Sequence, residues 1–124
     1  MMKNLLIVML GGGFGSGVRY LFALFVKRQA ETSFPLATFI INISGSLLIG
    51  IILGYYTKEN NQNEHLKLLL ATGFCGGFTT FSAFTFENLN LLQTNQTGTA
   101  FIYIGLSLVF GILAVWLGMM IGKI

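Results

Sequence analysis

Gly73-Phe74-Cys75-Gly76-Gly77-Phe78-Thr79-Thr80 lies in the middle of an apolar run extending from about Leu66 to Leu92. The run is long enough to cross a bilayer, which takes roughly 20 mostly apolar residues. Read as a helix interior, however, its centre is poor, because paired glycines are followed directly by paired threonines. The pattern predicts a membrane-spanning helix broken at mid-span. A break at that depth is tolerated only where protein or water surrounds it, and it frees backbone carbonyls. In broken-helix transporters such carbonyls coordinate cations. A continuous helix kinked at its glycines is the competing reading.

Three further apolar runs flank this one, at about Leu5–Val26, Pro35–Tyr56 and Thr99–Ile121. Short polar breaks at Lys27–Phe34, Thr57–His65 and Gln93–Gly98 separate the four. The expected fold is an all-α integral membrane protein. It is a single domain, 1–124, of four transmembrane helices, each antiparallel to the next. Pro35 suits the first turn of the second helix, where its missing N–H costs nothing.

Composition points the same way. Of the 124 residues, 54% are hydrophobic and only 9% charged, against about 25% charged in a typical soluble domain. Mean hydropathy is +0.77. These values exclude a soluble enzyme and a disordered tail. They also exclude a nucleic-acid module, because the net charge of +3 comes from scattered cations with no run to track a phosphate backbone. The expected partner is membrane lipid, not nucleic acid.

No catalytic constellation is visible. Cys75 is the one cysteine, so neither a disulfide within the chain nor a Cys-based metal cage can form. His65 is the one histidine and sits in a polar loop. Gly11–Gly17 lacks the GxGxxG spacing, since Ser16 and Val18 stand where glycine is needed. Lys3 followed by Leu5–Leu10 resembles a signal peptide, but its apolar core is too short, and cleavage is not expected.

Tyr55, Tyr56 and Trp116 fit aromatic anchors at the membrane interfaces, and Lys27 and Arg28 can snorkel from the end of the first helix. The positive-inside balance is nearly even. One face would carry Lys3, Lys58, Lys67 and Lys123, and the other Lys27 and Arg28, with Arg19 nearby. Insertion in both orientations and a fixed orientation set by a small bias both fit that count.

Helices in lipid associate by close packing, and 16 glycines supply it. Gly11 with Gly15, and Gly13 with Gly17, make two stripes on the first helix. Ser46, Gly50 and Gly54 make one on the second, and Gly111, Ala114, Gly118 and Gly122 one on the fourth. This exceeds what four helices need among themselves. At least a dimer is expected, with function at the subunit interface.

The informative residues are polar ones at membrane depth. Thr38, Asn42 and Ser46 are spaced at four residues and share a helix face. Thr38 and Ser46 read as interhelical hydrogen bonding. Asn42 reads as functional, because a full amide in hydrocarbon needs several partners and presents two N–H donors. Tyr103 and Ser107 lie one turn apart and Gly111 extends their line; lining a pore and tying two helices are equally good readings. Phe74, Phe78, Phe81 and Phe84 form a stripe whose ordinary reading is core packing, although a ring edge also carries positive potential suited to an anion. Arg19 and Glu87 are the two charges nearest membrane depth.

These patches together resemble the Fluc, or CrcB-like, family of fluoride ion channels. The matching pieces are Gly12-Gly13-Phe14-Gly15 with Arg19-Tyr20, then Asn42-Ile43-Ser44-Gly45, then Gly73 through Phe84. Ala83 departs from the threonine common there, and Gly111 from a hydroxyl residue of some members. The resemblance implies passive export of fluoride through two pores at the interface of an antiparallel, dual-topology homodimer in the cell inner (plasma) membrane. It implies that Asn42 is the pore amide and that Phe81 and Phe84 present ring edges to the ion. Thr38, Tyr103 and Ser107 would form a polar track and Arg19 would line the vestibule. Gly76 and Thr79 would hold a structural sodium ion (Na+) with backbone carbonyls.

Two rival readings fit the same chain length and hydropathy. A small multidrug-type proton-coupled exporter is also short, with four helices, but wants a carboxylate deep in the bundle. The first helix has none, and Glu87 falls late in the third. A non-transporting assembly protein would explain the glycines but neither Asn42 nor the break.

Overall fold

The computed structural model describes residues 1–29, 32–59 and 63–124, and every regular element in it is helical. The chain runs α1 (Met2–Gln29), α2 (Leu36–Glu59), α3 (Glu64–Lys67), a π-helical segment Leu68–Cys75, α4 (Gly76–Phe78), α5 (Phe81–Gln93) and α6 (Thr97–Gly122). Four stretches are long and apolar enough to span a membrane: Met2–Gln29, Leu36–Lys58, Glu64–Gln93 and Thr97–Gly122. The third is composite, running from α3 to α5. All span ends but the start of the second lie one to three residues past the apolar runs, because the helix ladder continues into the polar flanks. The middles of the first two polar breaks, including Glu31, lie outside the described residues.

Local signals set the ends. Pro35 precedes α2 rather than opening it; its carbonyl accepts the Phe39 N–H at 3.1 Å, so it stands as the cap. Asn63 caps α3, its side chain accepting from the Leu66 N–H at 3.1 Å. Between α5 and α6 the chain reverses within three residues. Asn95 takes φ 61° there, a left-handed conformation that asparagine tolerates. The Gln96 N–H reaches back to the Leu91 carbonyl at 2.8 Å.

The spans pack as two close pairs, α2 with α6 and α1 with the third span. In each, glycine lets backbone meet backbone. A Cβ at Gly118 would collide with the Leu47 carbonyl of α2, and one at Gly15 with the Phe74 carbonyl of the third span. Gly13 and Gly17, by contrast, have open space where a Cβ would stand. One of the two stripes on α1 is thus left unused within one copy. A smaller aromatic core joins the pairs: Leu91, Ala100 and Tyr103 are buried, with Phe34, Phe39 and Phe84 packed against them.

Two sequence expectations change. Tyr56, read as an interfacial anchor, is buried while its neighbour Tyr55 remains exposed. The rings meet edge-on at 5.6 Å, so only one of two adjacent residues on this helix faces outward. The aromatic stripe of the third span is also not continuous. Phe74 stacks on Phe78 at 5.7 Å and meets Phe14 of α1 at 6.1 Å. Phe81 and Phe84 pair separately at 6.0 Å beyond the break.

Candidate functional site

The third span does break, but two residues later than its glycines. Gly76 and Gly77 remain helical in α4. Thr79 then turns to φ −81°, ψ 158° and Thr80 to φ −149°, ψ 120°, both extended. Gly77 is needed for approach instead, since a Cβ there would strike the Gly12 backbone of α1, whereas Gly76 has open space. Upstream, Leu68–Cys75 is wound as a π-helix, a geometry rare in ordinary helices and frequent at functional sites.

The break is held from both sides. The Thr79 hydroxyl donates to the Cys75 carbonyl at 2.8 Å, one turn back. The Thr80 hydroxyl accepts the Ala83 N–H at 3.2 Å and so caps α5. From α2, Asn42 Nδ2 donates to the Thr80 carbonyl at 3.1 Å, and the Thr80 N–H donates to Asn42 Oδ1 at 2.8 Å. This reciprocal pair satisfies both backbone polar groups of one extended residue, groups that would be costly unpaired in a membrane.

A groove of about 470 Å³ opens beside the break. Asn42, Ser46, Thr79, Phe81, Phe84 and Ser107 are among its lining residues, and none of the lining residues is charged. Phe81 is 76% exposed, Gly76 is also exposed, and Phe84 and Ser107 are half-buried. Six of the sequence-selected residues, namely Asn42, Phe81, Phe84, Ser107, Gly76 and Thr79, therefore meet along one seam.

Thr38 and Tyr103 stand apart, against Glu87. The Thr38 hydroxyl donates to one carboxylate oxygen of Glu87 at 2.7 Å, and the Tyr103 hydroxyl to the other at 2.8 Å. Tyr103 is fully buried, its ring edge-on to Phe84 at 5.0 Å and to Phe34 at 5.3 Å. Glu87 is the residue that the sequence reading left without a role. Its position late in the third span, with Thr38 and Tyr103 near the starts of α2 and α6, was the available signal, but the pairing spans three helices. Asn88, next along α5, donates to the Phe84 carbonyl at 2.9 Å.

Arg19 is not among the residues lining the groove. It is half-buried on α1, and its Nε is buried without a hydrogen-bond partner among the described residues. Among the described residues no cluster of His, Cys, Asp or Glu could hold a metal ion.

Fold and site define a polytopic membrane protein with an uncharged polar seam set against a broken helix. Residues 6–119 match the family described as CrcB-like protein, Camphor Resistance (CrcB), and the chain belongs to that family. It is similar to a protein of Flavobacterium psychrophilum named fluoride-specific ion channel FluC, with 51% identity over 98% of both chains. A protein of the same name from Phocaeicola vulgatus is 47% identical over 94% of this chain and 96% of its own. One from Azobacteroides pseudotrichonymphae is 42% identical over 95% and 94%. The chain is therefore a multi-pass membrane protein of an ion-channel family, not an enzyme. The exporter reading finds no support.

Proposed function

We propose that this chain is a fluoride-selective channel that lets the ion leave the cytoplasm passively across the plasma membrane. The observation that carries this reading is the seam itself: amide, hydroxyl and aromatic side chains gathered beside a helix break, with no charged lining residue. The fluoride-specific relatives, alike over nearly the whole chain, support it.

The physical problem is desolvation. Moving even a carboxylate-sized ion from water to a dry interior costs on the order of 20 kcal/mol by the Born estimate, and a smaller ion costs more. The path must offset this without trapping the ion. A permanent cation at the narrowest point would hold fluoride too tightly. Weak dipoles passed in sequence do not. Asn42 keeps one amide proton beyond the one given to Thr80. Ser107 adds a hydroxyl, and Phe81 and Phe84 add rings whose edges carry positive potential.

The open face of the seam calls for a partner. Phe81 and Gly76 are exposed there, and Gly13 with Gly17 is a stripe with nothing packed on it. A second, antiparallel copy of this chain closes the seam in our reading, giving two pores at the interface. The near-even cation balance supports insertion in both orientations. The donor set beside the break also fits a structural sodium ion. Gly76 has open space above its Cα, and the extended ψ of Thr79 turns its carbonyl out of the helical direction. Gly76 and Thr79 would hold the ion, which when bound adds a favourable potential for an anion nearby.

The decisive measurement is fluoride efflux from vesicles carrying the purified protein, with chloride as control and no proton gradient. Rapid fluoride release with chloride retained is the expected result. Retention of fluoride, or equal release of chloride, overturns the proposal.

A further inference from the structure

We propose that Asn42 and Gly45 of α2 together form the receptacle that fixes the broken third span, so that Asn42 is a positioning residue for the wall of the seam as well as a donor offered to the ion. This rests on the channel reading for its flux arm. Asn42 and Gly45 are three residues apart and share one face of α2. Together they meet the two extended residues of the break. Asn42 grips both backbone polar groups of Thr80, at 2.8 and 3.1 Å. Gly45 leaves empty the place that the Thr79 methyl fills, for a Cβ there would collide with Thr79 Cγ2 and lie 3.3 Å from the Phe78 ring.

The fit is specific to threonine in this conformation. With its methyl lodged over Gly45, Thr79 points its hydroxyl to the Cys75 carbonyl at 2.8 Å. Thr80, held by Asn42, has its hydroxyl free to cap α5 at Ala83. The receptacle therefore sets the course of the backbone between Gly76 and Phe81. It also sets where α5 starts, and with it the placement of the Phe81 and Phe84 rings. A substitution at Asn42 acts on that wall at the same time as it removes a donor.

Two measurements on the purified full-length protein test this, and the first fails independently of the channel reading. The first is amide exchange at Thr80 in wild type, Asn42→Ala and Asn42→Asp. The aspartate retains an oxygen to accept the Thr80 N–H, while alanine does not. Exchange about tenfold faster in Asn42→Ala, as loss of a buried hydrogen bond implies, with protection kept in Asn42→Asp, is the expected result. Unchanged exchange in Asn42→Ala shows that the amide serves the ion alone and overturns the proposal, whether or not the wild type carries fluoride.

The second is fluoride efflux in Gly45→Ala, Thr79→Ser and the double variant. Gly45→Ala adds no polar group and removes none, so its loss reports the wall. We expect at least about a tenfold fall from overpacking. The double variant should recover to the level of Thr79→Ser alone, because serine removes the methyl and keeps the hydroxyl bonded to Cys75. Wild-type efflux in Gly45→Ala, or a double variant as impaired as Gly45→Ala, overturns the proposal.

Discussion

Tyr103 on α6 and Thr38 on α2 bind the two oxygens of one carboxylate, that of Glu87, at 2.8 and 2.7 Å. Three spans are thereby tied at one group. The tie lies directly behind Phe84, whose ring sits edge-on to that of Tyr103 at 5.0 Å. Removing the Tyr103 hydroxyl should therefore loosen the support of the ring. Tyr103→Phe keeps the aromatic packing and deletes one hydrogen bond, costing about 0.5–1.5 kcal/mol. A lowered Tm in detergent together with reduced efflux is expected. An unchanged Tm would show that the tie contributes nothing.

Phe81→Ile and Phe84→Ile should both abolish fluoride efflux while the protein still assembles, since each removes a ring edge from the seam. They should differ in stability. Phe81 is 76% exposed in one copy and meets Phe84 at 6.0 Å, whereas Phe84 also packs on buried Tyr103. Phe84→Ile should lower Tm by forfeiting an aromatic pair worth about 0.5–1.5 kcal/mol. Normal flux in both variants would remove the phenylalanines from the mechanism.

Glycines that look alike in the sequence should behave differently. Gly118→Leu should prevent the α2–α6 approach and yield little folded protein, because a Cβ there already meets the Leu47 carbonyl. Gly13→Ala should leave the single subunit as stable as wild type, because its Cβ enters open space. Circular dichroism and size-exclusion profiles in detergent decide both. Equal tolerance at the two positions would contradict the packing described.

Exchanging sodium for a large organic cation throughout purification should reduce efflux by at least about tenfold, a loss of about 1.4 kcal/mol in stabilisation. Sodium added back should restore it. Full flux without sodium would remove the ion proposed at Gly76 and Thr79.

The four spans were legible because their signal is length and hydropathy, which depend on no partner. Asn42 stood out because a full amide at membrane depth needs several partners, whereas Phe81 and Phe84 read as ordinary core packing and their pore role rests on the family resemblance alone. The site of the break was less so. Gly76 and Gly77 have the poorer helix propensity, yet the chain departs at Thr79 and Thr80 because Asn42 and Gly45, more than thirty residues upstream, receive them there. Glu87 was harder still. Its role depends on hydroxyls from two other spans converging on it, and no periodicity within α5 records that.

The hold of Asn42 on Thr80 also constrains how the polypeptide is built. A strand-like pair of residues entering hydrocarbon alone would carry bare peptide groups, at several kcal/mol each. The segment bearing the amide is synthesised first, so a docking place is present in the bilayer before the vulnerable pair arrives. Reversing the order of those two segments by circular permutation would make the nascent chain wait, exposed, for its own support.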